Sequence, residues 1–571
     1  MEVPLKRRLL ALVLFVAVSA LLLVFMTPPT GAQIPKGLQP TVRSAISHGV
    51  SLAASELPTA SRNPQASGAA QNRPALPLPH GQPADVADPL VQHVAGPLAM
   101  PGPQIQFAGI NATASGCGCL PPDTNGAAGP DQYVQMVNSA FAVYAKTGQL
   151  LSGPTLINAL WSNQTGACHD NNNGDPVVVY DQLSDRWLLS QFAVPGGATG
   201  YHECIAISKT GDATGQYYVY DFLLSTTKFE DYPHFGHWPD AYYMTTNQFD
   251  ITTTVGAVFE GAGAFAFERA KMLAGLPAQM VQFDTCPTNT GCFDSGMLPS
   301  DLDGRTPPPA GSPNYVVEVN DPSNNNPSGG YVMNIFQFHV DWTNPLSSTF
   351  GIAGLPNSAL PVAAFARPQC TDGKGTCVPQ KNTGQQVDAI GDRIMFRLAY
   401  RNFGEHESVV MNHTVVVTPT YGTRWYELRN PGSSPAIYQS GTYAPDLLYR
   451  WMGSIAMDQK GDIAVGFSTS SATAFPSIAY AGRYVTDTLG MLSQGDNTLY
   501  AGTGSQTFPL GRWGDYSDLT IDPADDCTFW YTNEYYAVTD PTGLGALWQT
   551  RIGSFKFPSC TNNLYLPVIR R

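Results

Sequence analysis

A short pattern that recurs along the chain limits its fold more than any other feature. An aspartate opens a strand of aromatic and β-branched residues, and an asparagine ends that strand seven residues later. The clearest copies are DQYVQMVN from Asp131 to Asn138, DAYYMTTN from Asp240 to Asn247 and DCTFWYTN from Asp526 to Asn533. Looser copies open at Asp185, Asn314, Asp392 and Asp462. A short apolar strand precedes most of these openings, so each copy predicts the start of a β-hairpin unit.

Units at spacings of roughly 55 to 80 residues predict an all-β fold, namely a seven-bladed β-propeller of four-stranded antiparallel blades. Stacked β-sandwiches are the alternative, but they do not demand one repeated hairpin throughout. The composition agrees with strands joined by turns, since only 13% of residues are charged while Gly, Pro, Tyr and Phe are abundant. We assign the propeller to residues 104–558, and we expect Gln104 to Ile110 to close the ring as an outer strand of the last blade.

The N-terminal region predicts export. Lys6, Arg7 and Arg8 precede an apolar run from Leu9 to Met26, and the small residues before position 33 mark a cleavage site. That run also reaches the length of a membrane span, so residues 1–32 are either a signal peptide or an uncleaved membrane anchor helix. Residues 33–103 are rich in Pro, Ala, Ser and Gln and predict a disordered linker, and residues 559–571 form a C-terminal tail. We therefore expect a secreted or cell-surface protein.

The ten cysteines predict disulfides, because an exported chain meets an oxidising compartment. Two pairs would each close a single loop, namely Cys286 with Cys292 and Cys370 with Cys377. Two others would lock single β units, namely Cys168 with Cys204 and Cys527 with Cys560, which leaves Cys117 with Cys119. A zinc site is the alternative for that last pair, but the chain has no CxxC motif with matching His spacing.

The formal charge of -14 bears on the partners of this chain. Nucleic acids and anionic membranes are themselves negative, so we expect neither as a partner, except for a membrane contact through an uncleaved N-terminal segment. The expected partner is an extracellular glycan or a cell-surface ligand, and the protein is expected to be a monomer.

The hairpin repeats, the number of units and the loop SIAYAGR from Ser477 to Arg483 resemble the sialidase-like, BNR-type propellers. They also resemble large exported bacterial propellers with no assigned activity. The sialidase Asp-box, Ser-x-Asp-x-Gly-x-x-Trp, is absent, so the resemblance is one of architecture. AYRNFGEH, from Ala399 to His406, is similar to a strand of propeller polysaccharide lyases that contacts an acidic sugar through Tyr and Arg. The tail LYLPVIRR resembles endings on some exported bacterial proteins.

Ligands of propellers bind where inner strands begin and second strands end, and both sets of positions carry polar residues here. Candidate ligand-binding residues at the start of inner strands are Asp231, Tyr232, Arg450, Trp451, Arg512, Asp515 and Tyr516. Arg401 and Asn402 are expected at the end of a returning strand, and Arg483 is a further candidate. Alternation places Arg393, Arg397 and Arg401 on one face of a strand. We expect Arg397 to pair with a carboxylate of a neighbouring blade, and Arg401 to grip an anionic ligand group.

Catalytic and metal-binding candidates follow from two loops. His406 and Glu407 would act as acid and base, with Tyr400 as a further proton carrier. The alternative is a solvated loop with no catalytic role. Asp170, Asn172 and Asp175, in the segment DNNNGD, carry the oxygen ligands that calcium prefers, although the segment departs from an EF-hand loop.

We expect the protein to bind glycans or other extracellular ligands through its top face without catalysis. The alternative is a sialidase-like glycosidase or polysaccharide lyase acting on an acidic polysaccharide, in which Arg401, Arg483 and Arg512 hold carboxylates. Neither interpretation requires a cofactor, and calcium is the one candidate.

Overall fold

The computed structural model describes residues 38–61, 76, 78, 86–195, 199–253, 256–288, 291–324, 329–368, 376–543 and 545–560. The export segment at residues 1–32 lies outside this part of the chain, and so does Cys370. Strands dominate the described residues, which confirms the all-β prediction. Their helices are single turns, at Ala54–Glu56, Ile157–Trp161, Ala167–Asp170, Arg269–Leu273, Pro322–Asn324 and Pro345–Ser347. Within these residues, no helix has the length and apolar character needed to cross a membrane.

The first three units each form an antiparallel sheet whose strands follow chain order. Unit 1 contains β5 (Asn125–Ala128), β6 (Gln132–Val137), β7 (Ala140–Ala145) and β8 (Leu150–Leu156). Unit 2 contains β9 (Gly174–Asp181), β10 (Arg186–Ala193), β11 (Tyr201–Ser208) and β12 (Tyr217–Ser225). Unit 3 contains β13 (Phe229–His237), β14 (Tyr242–Asp250), β15 (Val258–Phe267) and β16 (Gln279–Asp284).

Four further units follow. Unit 4 contains β17 (Leu298–Asp303), β18 (Asn314–Asn320), β19 (Val332–His339), β20 (Thr349–Phe350) and β21 (Ser358–Pro361). A small ribbon of β22 (Thr376–Val378) and β23 (Val387–Asp388) precedes unit 5, which contains β24 (Met395–Asn402), β25 (Glu407–Val417), β26 (Thr420–Arg429) and β27 (Ala436–Tyr443). Unit 6 contains β28 (Tyr449–Met457), β29 (Ile463–Ser471), β30 (Ala474–Arg483) and β31 (Asp496–Tyr500). Unit 7 contains β32 (Asp518–Ile521), β33 (Thr528–Tyr536) and β34 (Trp548–Lys556).

The first strands of the units lie against one another at the centre of the molecule. β5 contacts β9, β9 contacts β13, and the series continues through β17, β24, β28 and β32, which contacts β5 again. β17 and β24 approach closely enough to pair as parallel strands. β13 and β17 are also close, because a Cβ atom at Gly236 would lie 2.3 Å from the Ser300 carbonyl oxygen. We call the end where these strands begin the entry end, and the end where they finish the exit end.

Aromatic and aliphatic side chains fill the spaces between neighbouring units. Phe222 of unit 2 meets Phe267 of unit 3 at a ring distance of 4.9 Å, and Tyr243 of unit 3 meets Phe338 of unit 4 at 5.0 Å. Burying each such side chain contributes roughly 1.5–3 kcal/mol. This packing explains why strands with alternating aromatic and β-branched residues recur along the chain.

Part of the region predicted as a disordered linker is ordered. β1 (Thr41–Ser44) pairs with β16, β2 (Ser47–Val50) pairs with β12, and β3 (Val91–Gln92) pairs with β27. The prediction of a disordered linker is therefore wrong for these segments. The prediction rested on amino-acid composition, but an edge strand is held by backbone hydrogen bonds and does not need a large apolar side-chain surface. β4 (Ile105–Ala108) pairs with β34 of unit 7, as predicted.

The predicted hairpin register is wrong in unit 5. The sequence pattern makes the strand after Asp392 a second strand, but β24 is the first strand of its sheet and contacts the first strands of units 4 and 6. Its parallel register places Arg401 opposite Asp303, at the exit end. The long segment before Asp392 carries no apolar strand like those that precede the other openings. The strand after Asp392 is therefore the first strand of its unit, whereas the prediction made it the second.

Four of the five predicted disulfides are confirmed. They are Cys117–Cys119, Cys168–Cys204, Cys286–Cys292 and Cys527–Cys560. The fifth predicted pair includes Cys370 and so falls outside the described residues.

Candidate functional site

Carboxyl groups from several units meet at the entry end. Asp123 precedes β5, Asp175 lies in β9, Asp231 lies in β13 and Asp515 precedes β32. The charges of Asp123, Asp231 and Asp515 all act on Asp175, so four units contribute to one cluster. We call these four residues the entry cluster.

Hydrogen bonds fix the entry cluster to the backbone. Asn138, at the end of β6, donates its side-chain amide to Asp123, and its oxygen accepts the backbone N–H of Asp175 at 2.9 Å. Asp123 in turn accepts the backbone N–H of Asp515 at 2.8 Å. Asp123 and Asp175 have φ angles of 46° and 48°, in the left-handed region that costs an ordinary residue free energy. Such backbone strain persists only where surrounding contacts hold it, and here those contacts converge on the cluster.

Arg512 provides a positive charge at one side of the cluster. Its guanidinium donates to Asp388 at 2.6 Å and to Asp515, forming two ion pairs. Asp388 also accepts the backbone N–H of Trp513 at 2.7 Å, and Glu534 accepts the backbone N–H of Gly514. The segment before β32 is therefore held by carboxylates on both sides.

Arg393 provides a second positive charge beside Asp231. It pairs with Asp392 at 2.8 Å and lies over the ring of Tyr232, 4.9 Å from its centroid. The carbonyl of Leu76 accepts a hydrogen bond from Arg393 at 3.0 Å, and the N–H of Leu78 donates to Asp392 at 3.2 Å. A short piece of the N-terminal region thus lies against this side of the cluster.

Burial and mutual repulsion raise the pKa values of these carboxyls. Burial is the largest cause for Asp123 and Asp175, whose pKa values are raised well above the usual range, and neighbouring carboxylates add to the effect. The pKa of Asp231 rises to about 7 through burial and the charge of Asp515, opposed by Arg393. Burial likewise raises the pKa of Asp388 to about 6, although Arg512 opposes the rise. Carboxyls that keep their protons near neutral pH are suited to general acid catalysis.

Aromatic rings separate the entry cluster from the interior. His234 stacks on Phe396 at 4.7 Å and meets the edges of Tyr232 at 4.0 Å and Tyr516 at 4.9 Å. Burial holds the pKa of His234 well below its usual value, so the imidazole is neutral. These rings come from units 3, 5 and 7, and they form an apolar floor beneath the carboxyls.

A buried ion-pair network lies beyond this floor. Arg397 pairs with Asp301 at 3.0 Å and with Asp303 at 2.6 Å, and Asp301 also contacts His237 at 2.7 Å. This confirms that Arg397 pairs with carboxylates of a neighbouring unit. The cavity around them has a volume of about 30 Å³, which is room for about two water molecules.

Seven of the predicted ligand-binding residues lie at the entry end, because Arg450 and Trp451 also stand at the start of a first strand, but only five of the ten surround the entry cluster. Asp231, Tyr232, Arg512, Asp515 and Tyr516 surround the entry cluster, and the Tyr516 hydroxyl donates to the Pro176 carbonyl at 2.9 Å. The others are Arg401, Asn402, Arg450, Trp451 and Arg483.

Arg401 and Asn402 lie at the exit end because β24 is a first strand. Arg401 forms two hydrogen bonds with Asp526, at 2.7 and 2.9 Å, and donates a third to the Met457 carbonyl. Asn402 donates to the Pro307 carbonyl at 2.7 Å. Arg401 therefore forms a structural ion pair with Asp526. It lies at the opposite end of the central strands from Asp515, so the two residues do not line one pocket as predicted.

The side chains of Arg483, Arg450 and Trp451 are engaged in contacts within the protein. Arg483 ends β30 and donates to the Asp487 carbonyl at 2.7 Å. Arg450 is buried and pairs with Asp446 at 2.7 Å and with Asp496 at 3.1 Å. Trp451 is buried against Trp513. These residues stabilise units 6 and 7 rather than facing a ligand.

The predicted catalytic residues also lie at the exit end. The Tyr400 hydroxyl donates to Glu407 at 2.6 Å, which raises the pKa of Tyr400 beyond the effect of its burial. His406 stacks on Phe403 at 4.9 Å, and burial together with the charge of Arg429 lowers its pKa. No residue of the entry cluster contacts them. The prediction that these three residues form the acid–base machinery of the ligand site is wrong in its placement.

The predicted calcium ligands are divided between two places. Asp170 is exposed and pairs with His169 at 2.7 Å, whereas Asp175 belongs to the entry cluster. The side chain of Asn172 donates to the Ser139 carbonyl and accepts from the N–H of Asn158. Across the described residues, no group of three or more His, Cys, Asp or Glu side chains is arranged to hold a metal ion. Calcium binding stays a prediction of the sequence.

Sequence reasoning missed Asp123, Asp388 and Arg393 as members of the site. Asp123 follows the segment CGCLPP and lies just before an inner strand of only four small residues, so this strand gave a weak signal in the sequence although its partner strand was clear. Arg393 was grouped with Arg397 and Arg401 by alternation, which was right, but the direction of the strand was reversed. A rule that each inner strand begins next to an acidic residue would have found Asp123.

No protein-family model and no curated protein matches the sequence. Several solved structures are similar at low identity, among them the endosialidase of phage phi92, with a TM-score of 0.32 and 9% identity over 69% of this chain and 68% of that one. The α-L-arabinofuranosidase Arb93A from Fusarium graminearum has a TM-score of 0.30 and 8% identity over 82% and 99% of the two chains. The polysaccharide lyase Uly1 has a TM-score of 0.30 and 10% identity over 90% and 100%.

The three structures named here are an endosialidase, an α-L-arabinofuranosidase and a polysaccharide lyase. TM-scores this low do not establish a shared activity.

Proposed function

We propose that the chain is a seven-bladed β-propeller, and that a glycan binds at the entry end of its central strands. The circular series of contacts from β5 through β32 and back to β5 supports the ring. Pairing of β4 with β34 supports its closure, because it joins the start of the propeller region to the last unit. The disulfides support an extracellular location, since such bonds persist in oxidising compartments.

The reaction that the entry cluster supports best is hydrolysis of a glycosidic bond. Such hydrolysis needs one protonated carboxyl to protonate the leaving oxygen, and one carboxylate to activate water or to attack the sugar carbon. Asp231 is partly exposed and has a pKa of about 7, so it supplies the acid. Asp515 forms an ion pair with Arg512 and supplies the carboxylate. The observation that carries the proposal is the convergence of Asp231 and the arginine-bound Asp515 in one cluster at the entry end.

Each step then follows from ordinary acid–base chemistry. The Asp231 proton passes to the glycosidic oxygen as the bond between that oxygen and the sugar carbon breaks. The Asp515 carboxylate accepts a proton from the water whose oxygen bonds to that sugar carbon, and proton exchange with solvent then returns both carboxyls to their starting states. Asp123 accepts a hydrogen bond from the Asn138 side chain, whose oxygen accepts the backbone N–H of Asp175, so both residues are held in the cluster, where burial raises their pKa values.

Binding without turnover is the second candidate. It is favoured by the low exposure of the cluster, since Asp123 and Glu534 are each only 1% exposed. In this case polar side chains around the entry cluster would recognise a sugar, and the buried carboxyls would only stabilise the fold.

Replacing Asp231 and Asp515 separately by Asn tests the proposal. A panel of neutral, basic and acidic polysaccharides is incubated with each variant, and new reducing ends are measured. We expect the wild type to release them and D231N and D515N to lose roughly a hundredfold or more of the rate. The matched control is E405Q, the same chemical change at an exposed exit-end residue, which should keep full activity. Glycan binding without any release of reducing ends would overturn hydrolysis and leave the second candidate.

A further inference from the structure

The cavity around the Arg397 network, which we call the central cavity, is enclosed by residues of six units. Its wall includes Ala127 of unit 1, Val178 of unit 2 and Thr520 of unit 7. Gln182 and Pro523, which follow the exit ends of two first strands, also line it and are only half-buried, so the cavity lies close to solvent. None of its lining residues belongs to the entry cluster, so the central cavity is separate from the proposed glycan site.

Three buried polar atoms of its lining residues have no hydrogen-bond partner within the described part of the chain. They are Nε2 of His237, Oδ1 of Asp518 and the hydroxyl oxygen of Thr520. These residues are at least nine-tenths buried, at 1%, 0% and 9% exposure. Buried polar groups in folded proteins are almost always hydrogen-bonded to protein or to ordered water, because leaving one without a partner destabilises the fold.

Other contacts hold these side chains in place around the cavity. The Nδ1 atom of His237 and its backbone N–H both contact Oδ1 of Asp301, at 2.7 and 3.0 Å. The other carboxyl oxygen of Asp518 accepts the backbone N–H of Gly126 at 3.3 Å. Thr520 lies two residues after Asp518 in β32, so both side chains point to the same face of the strand. The three unpaired atoms are therefore fixed in position by the fold.

The chemistry of the central cavity suits water better than an ion. Arg397 donates to Asp301, to Asp303 and to the Leu519 carbonyl, so an anion would have to displace carboxylates that are already bound. Among the described residues, no set of three or more His, Cys, Asp or Glu side chains is arranged to hold a metal ion. Burial raises the pKa of Asp518 well above its usual range although Arg397 opposes the rise, so this carboxyl can donate as well as accept. Water also donates and accepts, and it can satisfy a carboxyl, an imidazole and a hydroxyl together.

We propose that the central cavity is a binding site for ordered water, which bridges His237 of unit 3 to Asp518 and Thr520 of unit 7. The volume of about 30 Å³ holds about two water molecules. The water joins first strands at the place where Arg397 already connects units 4, 5 and 7. Buried water with several polar partners is a permanent part of a protein structure and is costly to remove.

Crystal structures of the wild type and of two variants of the full chain test this site. In the wild type we expect about two density peaks in the cavity, at about 2.6–3.2 Å from the unpaired atoms of His237, Asp518 and Thr520. Thr520→Val keeps the shape of the side chain but removes the hydroxyl, so it should lose the water bound at that position. Thr520→Ser is the matched control, because it keeps the hydroxyl and should keep every peak.

Oxygen-17 relaxation dispersion counts long-lived internal water molecules in solution and gives an independent measurement. We expect T520V to hold about one such molecule fewer than the wild type, and T520S to hold the same number. A wild-type cavity without ordered water, or equal numbers in all three proteins, would overturn the proposal. A single peak at about 2.3–2.6 Å from carboxylate oxygens would also overturn it, because that is the geometry of a bound cation. The wild-type density decides the proposal even if T520V fails to fold.

Discussion

Buried carboxyls away from the entry end show how single residues set the pH response of this protein. Glu203 in β11 is fully buried, and burial raises its pKa well above the usual range although Ser190 opposes the rise. Glu230, in the neighbouring unit, accepts hydrogen bonds from Thr246 and Gln248, and burial raises its pKa to about 7. Two such groups facing each other between units 2 and 3 keep their protons in the folded state.

Glu230 therefore makes the folded state less stable as the pH rises. A carboxyl whose pKa is higher in the folded than in the unfolded chain stabilises the fold fully below its unfolded-state pKa. That contribution is lost as the pH rises through the folded-state pKa. For Glu230 this loss occurs between pH 4.5 and about pH 7, and it amounts to at most about 3 kcal/mol of the free energy of unfolding.

We expect E230Q to remove this loss, because glutamine keeps a hydrogen-bonding oxygen and does not ionise. Urea unfolding of both proteins at mildly acidic and mildly alkaline pH would show wild type losing more stability than E230Q, while Glu203 titrates in both. Parallel loss of stability in the two proteins would contradict the role given to Glu230.

Asp231 sets the pH dependence of the proposed hydrolysis. The general acid must hold its proton, so the rate is expected to fall as the pH rises through about 7. Changing Arg393 to Gln removes the charge that opposes the rise, so the pKa of Asp231 should increase and the falling limb should move to higher pH. Reducing-end release against pH measures both curves. An unchanged limb in R393Q would show that Asp231 is not the acid.

The five predicted ligand-binding residues that surround the entry cluster share one property. Asp231, Tyr232, Arg512, Asp515 and Tyr516 lie next to strands whose identity as inner strands was clear from the hairpin pattern. Their convergence followed from topology alone. Arg401 was misplaced because side-chain alternation shows which residues share a face but not which end of the molecule the strand begins at. Pairing partners such as Asp526, 125 residues away in sequence, leave no local signal.

At the scale of elements, strands from the N-terminal region complete the outer edges of units 2, 3 and 5. Each would otherwise leave an edge strand exposed, namely β12, β16 or β27. Unpaired edges promote association between chains. Asp88, close to β3, also pairs with the buried Arg424 of β26 at 2.5 Å. Composition marked this region as a linker, because three short strands add few aromatic residues to it.

A chain that begins at residue 104 is therefore expected to aggregate or to unfold at a lower temperature than one that begins at residue 38. The longer chain keeps β1, β2, β3 and Asp88, and it should match the full-length protein. Light scattering and thermal unfolding compare the three. D88N in the full-length chain separates the two causes, because loss of a buried partner costs about 3–5 kcal/mol by itself. Identical behaviour of the two shortened chains would mean that the N-terminal strands are dispensable.

At the scale of the whole molecule, the hairpin pattern anticipated an all-β fold, but no local pattern contains the contacts between the first strands of the sheets. Hydrophobic alternation selects strands, and turn residues select hairpins. The order in which seven first strands meet depends on contacts between residues far apart in the chain. Arg397 is the clearest of these contacts, because it joins β24 to Asp301 and Asp303 of β17 and to the Leu519 carbonyl of β32.

Arg397 should consequently stabilise the assembly of units rather than any one sheet. Burial alone would raise the pKa of Asp301, but Arg397 and His237 outweigh it and lower the pKa. R397M leaves two buried carboxyls without their cation, so we expect a loss of about 3–5 kcal/mol in the free energy of unfolding. R397M/D301N/D303N removes the charges together and should recover most of that loss, since a buried ion pair replaced as a whole costs little. Chemical unfolding followed by tryptophan fluorescence measures both variants. If the triple variant is as unstable as R397M, the shape of the arginine, and not its charge, is what joins the central strands.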